Sequence, residues 1–294
     1  MRQTLQLFAA WGHAATVEQL ARHLVGGAAE PEALRRILQD SDGLTVQDGF
    51  VALRDGGVLI AKTRRRMAAH ADLQAVYLSL AREYSTQLLQ WCPFLQCIAL
   101  TGSLASGGFQ EGDDVDFDLF VESGTKYTTY LIGTLLGVRY AWRFRHRETD
   151  PRHATPLLPK VTCVNVVWRE HETRPFLRTD ENMAYELLRC RPLFGAPRFL
   201  EVLQDNAWLQ DHFPQIYAQT WSDEVTDGQL NPVGRFLRSL STWPRLLRAV
   251  EVLSRGLAWS LYRVVQWSRR NNPEALAHIE FLHQVKHPYE VFQD

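Results

Sequence analysis

Cysteine, charge of one sign and long apolar runs are all in short supply in this 294-residue chain. Only four cysteines occur, Cys92, Cys97, Cys163 and Cys190, and no two stand in Cys-x-x-Cys spacing. That argues against a disulfide framework or a thiolate zinc motif and predicts a reduced, cytoplasmic protein. Lys and Arg total 32 against 33 Asp and Glu, a net charge of -1. Bulk coating of nucleic acid is therefore disfavoured, although a local basic patch is not. No apolar run reaches the roughly 18 residues of a membrane span, so no span is expected. Gln3, Gln6 and His13 interrupt the mildly apolar start, and no signal peptide is expected there. The 10 histidines form no His-Glu-x-x-His or Cys/His set, and Gly102-Ser103 lacks the Gly-x-Ser-x-Gly context of a hydrolase. With 46% hydrophobic and 22% charged residues, the chain has the composition of a protein with a real core.

The first 60 residues have their own grammar. Leu5, Phe8 and Ala9 fit one helical face. Thr16-Val17-Glu18-Gln19 places a capping hydroxyl three residues before an amide. Gly26-Gly27 ends that second helix, and Pro31 opens a third carrying Leu34, Ile37 and Leu38. Leu44 to Leu53 then reads as a hairpin around Asp48-Gly49. This order resembles a winged helix-turn-helix, which would bind DNA through its third helix. That helix offers only Arg35 and Arg36, flanked by Glu30 and Glu32, so a packing or dimerisation role with at most weak, nonspecific DNA contact is expected. Arg64-Arg65-Arg66 would either grip phosphate or begin a long helix over 64–91, with Leu73, Val76, Tyr77, Leu80 and Tyr84 as its buried stripe.

The segment richest in chemistry runs from Leu95 to Val121. A short buried strand, Leu95–Leu100, leads into Thr101-Gly102-Ser103, and a second strand then carries Asp114, Asp116 and Asp118. Gly102 would let backbone N–H groups approach a triphosphate, and Ser103 adds a hydroxyl at a predicted helix N-terminus. Asp114 and Asp116, two apart on a strand, share one face. Such a pair suits two oxygen-ligated Mg²⁺ ions about 4 Å apart, clamping attacking and leaving oxygens. Three acids on one face of an apolar strand repel one another unless cations neutralise them.

At these residues the chain resembles the nucleotidyltransferase superfamily that shares the DNA polymerase beta fold. Shorter echoes of uncharacterised prokaryotic nucleotidyltransferase-domain proteins occur at Cys163-Val164-Asn165, Tyr185-Glu186-Leu187-Leu188, Arg191-Pro192-Leu193, Asn206-Ala207-Trp208 and His287-Pro288. The resemblance implies an α+β chain in three parts: a winged helix-turn-helix (1–62), a nucleotidyltransferase domain with a mixed sheet (63–178), and a C-terminal helical region walling the cleft (179–294). It implies transfer of a nucleoside monophosphate from an NTP to a small-molecule, protein or RNA acceptor, with release of pyrophosphate and dependence on Mg²⁺ or Mn²⁺. Asp114 and Asp116 would hold metal, Gly102 and Ser103 the phosphates, and Asp118 would be a third catalytic candidate.

One departure stands out. Members that catalyse carry a third carboxylate on a neighbouring strand, and the strand Val161–Trp168 offers Asn165 at that position. Asn165 has a carbonyl oxygen but neither charge nor basicity. Asp118 would substitute, Glu170 or Glu172 would fold back, or the site would bind NTP without transferring it. That last case describes a catalytically silent sensor or regulator coupled to the winged helix, and a scaffold in which both domains are relics is the further rival.

Three other stretches carry expectations. Lys126, after Ser123-Gly124-Thr125, would reach a triphosphate or remain solvated. Arg139, Arg143, Arg145, His146 and Arg147, interleaved with Tyr140, Trp142 and Phe144, suit a strand with one charged face. Everything beyond about residue 180 reads helical, including two amphipathic helices split near Pro244. These would pack on the core or dock on a membrane surface.

Overall fold

The computed structural model describes residues 1–39, 41–150 and 158–292. The N-terminal part comprises α1 (Arg2–Ala10), β1 (Ala15–Thr16), α2 (Val17–Arg22), α3 (Pro31–Gln39), β2 (Leu44–Gln47) and β3 (Phe50–Leu53). Its three strands form an antiparallel sheet in the order β1-β3-β2. Thr16 caps α2 from its side chain while Gln19 returns a bond to the Thr16 N–H, closing the expected capping box. Asp48 and Gly49 both take positive φ at the hairpin turn. On α3, Leu34 and Leu38 are buried, whereas Ile37 is exposed.

The central part follows: α4 (Gly57–Trp91), β4 (Leu95–Thr101), α5 (Gly102–Ser106), β5 (Val115–Val121), α6 (Lys126–Arg143) and β6 (Thr162–Arg169). Beyond it lie α7 (Glu170–Thr173), α8 (Glu181–Arg189), β7 (Arg191–Phe194), α9 (Ala196–Gln204), α10 (Leu209–His212), α11 (Pro232–Leu240), α12 (Pro244–Arg269) and α13 (Pro273–Lys286). The architecture is α+β, dominated by helices, and its second sheet is mixed. The order is β6-β5-β4-β7, antiparallel except for the β5–β6 pair.

Both faces of the mixed sheet are buried, each against a different core. Ile98, Leu100, Phe117, Leu119 and Val121 pack with Tyr84 and Leu88 of α4 and Tyr140 of α6. Cys97, Ala99, Phe120 and Val166 join a core that also takes Leu5, Phe8 and Leu20 from the N-terminal part and Tyr185, Phe199 and Phe213 from the C-terminal part. Apolar residues on alternate positions of β5 thus leave Asp116 and Asp118 on the second face, at the junction of all three parts of the chain.

Three sequence expectations change here. The chain beyond residue 180 is not wholly helical, because β7 pairs with β4. Arg139 and Arg143 lie on α6 rather than on a strand, since the apolar helical pattern of 126–143 carries through to Arg143. Val76 faces solvent, leaving Leu80 and Tyr84 as buried members of the α4 stripe. Among the described residues no helix is long and apolar enough to cross a membrane.

Candidate functional site

Antiparallel pairing of β4 with β5 sets Thr101 opposite Asp116. The turn that follows β4 therefore meets the first residues of β5. Gly102 takes φ +67 there, and a Cβ built on it would overlap Asp116 Oδ2 and stand 3.0 Å from Asp116 Cγ. Only glycine meets both demands. Asp114 is buried one residue before β5, and Asp116 is half-buried at its start. The parallel strand β6 sets Cys163 opposite Asp116. One ligand atom from each of Asp114, Asp116 and Cys163 lies within 4.8 Å of the others.

These residues open into a cavity of about 450 Å³, within the range of small-molecule sites. Ser103, Gly107 and Gly108 line one wall, His13 comes from the N-terminal part, Lys62 from α4, Glu186 and Arg189 from α8, and His278 and Phe281 from α13. Burial, reinforced by the charge of Arg189, pushes the His13 imidazole down to about 3, so it is neutral at ordinary pH.

Two cations are fixed against the acids. Lys160 Nζ sits 2.5 Å from Asp114 Oδ2. Burial opposes its charge, but Asp114, Cys163 and Asp116 outweigh burial and hold the ammonium above its usual range. Arg66, on α4, pairs with Asp113 and donates from Nε to the Gly108 carbonyl at 2.8 Å. The arginine run at 64–66 thus supplies one side chain that braces the glycine turn.

The third-carboxylate candidates are dispersed. Asn165 is the extra residue of a β-bulge: Phe117 pairs with Val164 and Asp118 with Val166. Its side chain lines the cavity and donates from Nδ2 to Asp118 Oδ1 at 2.9 Å. Asp118 is buried two pairs deeper than Asp116, opposite Ala99. Glu172 accepts from the Arg169 backbone and guanidinium, and Glu170 pairs with Arg174 and Arg198. Neither glutamate lines the cavity, so the fold-back expectation is not met.

Lys126 is not brought to the site either. It begins α6, beyond the far end of a strand about 20 Å long. There it is buried, 3.5 Å from Glu172, in a second cavity lined also by Arg169 and Trp259. Burial lowers its pKa despite Glu172. On α3, Arg35 pairs with both Glu18 and Glu32. Lys160, Glu186 and Arg189 were missed by sequence reasoning. Lys160 immediately precedes the predicted strand at 161–168, and parallel pairing of that strand with the aspartate strand would have placed it. No protein-family model matches the chain, and no match was found among curated proteins or solved structures.

Proposed function

We propose that this chain is a divalent-metal-dependent nucleotidyltransferase of the polymerase beta type, preceded by a winged helix. The observation that supports this reading best is the packing of Gly102 on Asp116, which joins a glycine-serine turn to a carboxylate pair in one cavity. The pairing of β4, β5 and β6, antiparallel then parallel with a helix after β5, makes a mixed sheet, and this supports the reading at the level of sheet type. The two carboxylate oxygens are the donors that suit a hard divalent cation, and the Cys163 thiol beside them is a soft donor that Mg²⁺ would leave unused. Mg²⁺ or Mn²⁺ held by Asp114 and Asp116 would neutralise charge developing on the phosphates.

In this reading Gly102 and Ser103 cradle the triphosphate, and Arg189 and Lys62 face it across the cavity. The acceptor oxygen forms a bond to the α-phosphorus while the bond to the bridging oxygen of the β-phosphate breaks. Pyrophosphate leaves, and Asp116 takes the acceptor proton. The acceptor is a small molecule, a protein side chain or RNA. Arg35 is held between two acids, so the winged helix contributes packing and at most weak, nonspecific contact with duplex DNA.

A second reading is favoured by the bulge on β6. With Asn165 bonded to Asp118 and Lys160 on Asp114, the candidate metal cluster has two carboxylates and a thiol where a transferring site has three carboxylates. The chain would then be an NTP sensor that binds without turnover. Labelled NTPs with Mg²⁺ or Mn²⁺ and a cell extract separate the two readings. Label transfer that vanishes in Asp116→Ala supports the enzyme, whereas metal-dependent binding without transfer supports the sensor. Equal NTP affinity in EDTA and in Mg²⁺ would refute both.

A further inference from the structure

Helix α12 packs on α6 by one narrow face, burying Ser254 and Ala258. The contact is anchored by Glu251, whose carboxylate accepts from the Tyr127 and Thr128 N–H groups at 2.7 and 2.9 Å and from Thr128 Oγ1 at 2.7 Å. Those N–H groups belong to the first turn of α6, which has no side-chain cap of its own. Glu251 is the one acid in 234–270, against eight arginines, and its charge is directed into the protein.

The opposite side of α12 is apolar and open. Leu246, Leu253, Leu257, Val264 and Trp267 fall within about 40° of one line along the helix. They are 51%, 68%, 59%, 52% and 65% exposed. Trp243, at the N-cap, is 65% exposed, so an indole stands at each end of the stripe. Arg245, Arg263 and Arg270 lie about 80–100° to one side of that line. The Arg270 guanidinium stacks on Trp267, 3.9 Å from its ring centroid.

We propose that this face of α12 docks on an anionic lipid surface, the helix lying in the interfacial plane. The charge decides the occupant. A solvated helix would not leave five large apolar side chains in line, and a second copy would bring arginine flanks of one sign together with no acid to pair them. A nucleic acid would satisfy the arginines but leave the stripe in water. Anionic headgroups answer the arginines, the acyl boundary takes the stripe, and the terminal indoles suit the interface.

The test is flotation of the full chain with phosphatidylcholine vesicles and with phosphatidylcholine–phosphatidylglycerol vesicles. Binding is expected only to the second, and is weakened by salt. Leu253→Glu/Leu257→Glu changes two exposed positions and should lower binding by on the order of 100-fold or more, because two leucines lose their burial. Arg245→Gln/Arg263→Gln should lower it about 30-fold, near fivefold for each cation. Circular dichroism and the melting temperature should be unchanged in both variants. Absence of wild-type binding to the anionic vesicles at low salt would overturn the proposal, as would wild-type binding by Leu253→Glu/Leu257→Glu. Self-association in sedimentation that this variant abolishes, without vesicle binding, would assign the face to a second copy instead.

Discussion

Gly102→Ala tests the junction on which the site reading rests. The substitution acts in two ways. An alanine at φ +67 costs about 1–2 kcal/mol in backbone strain alone. Its Cβ would also overlap the Asp116 carboxylate, at 3.0 Å from Cγ and 3.1 Å from Cβ, and relieving such overlap costs about 1–3 kcal/mol. The sum, about 2–5 kcal/mol, is within what a folded chain of this size tolerates. Relief of the overlap moves Asp116 away from Asp114 and Cys163, so divalent-cation affinity should fall at least about tenfold. Gly124→Ala, beyond the far end of β5 and outside the cavity, is the control: φ is +84, yet nothing lies within 4 Å of the added Cβ. It should lower the melting temperature modestly and leave binding alone. The measurements are thermal melts and titration of a fluorescent NTP analogue in Mn²⁺. If Gly102→Ala binds the analogue as tightly as Gly124→Ala does, the coupling of turn to carboxylates is refuted.

Lys160→Met removes the cation 2.5 Å from Asp114 and should tighten Mn²⁺ binding without nucleotide by about tenfold, measured by electron paramagnetic resonance; an unchanged affinity would deny Lys160 any share in the charge balance. Cys163→Asp places a third acid opposite Asp116, and under the sensor reading it should create label transfer by about 10²–10⁴-fold over background, the usual worth of a general base. Asn165→Asp should instead destabilise the chain, because it replaces the 2.9 Å bond to Asp118 with two facing carboxylates; a rise in melting temperature at neutral pH would contradict that. Burial holds His13 at about 3 and His23 at about 4, below the unfolded value of 6.5. The unfolded chain therefore binds more protons below pH 6.5, and stability should fall by a few kcal/mol as pH drops from there towards 4. His13→Gln and His23→Gln should each flatten the dependence of the urea midpoint on pH.

Local chemistry was legible in the sequence wherever it was set by neighbours in the chain. The Thr16–Gln19 box, the Asp48-Gly49 turn and the break between α11 and α12 before Pro244 are all decided within a few residues. The alternation of β5 likewise announced that Asp116 and Asp118 share a face. What was not legible depended on pairing between distant strands. β7 is four residues long and contains Pro192, so it has little β signature; it is a strand because β4 offers it an edge. Lys126 follows the aspartate strand closely in sequence, but a strand delivers its successor to its far end, and proximity in sequence became separation in space.

The bulge at Asn165 shows the same division and bears directly on function. Strict alternation puts Cys163, Asn165 and Val167 on one face. The extra residue shifts the register, so Val167 joins the α4–α6 core while Val166 and Trp168 take the site face. Asn165 is left to serve Asp118, and Cys163 becomes the β6 side chain opposite Asp116. The question of the third carboxylate thus moves from Asn165 to Cys163. Its neighbours sharpen it, because Arg66 pairs with Asp113 and Lys160 with Asp114, so two of the three acids at 113–116 already face a protein cation. A site balanced in this way needs less metal charge than a three-carboxylate site. It would bind one cation together with the nucleotide more readily than two in sequence. Counting Mn²⁺ per chain in the presence of a non-hydrolysable NTP analogue gives one under this argument, and two would mean that Lys160 is displaced on loading.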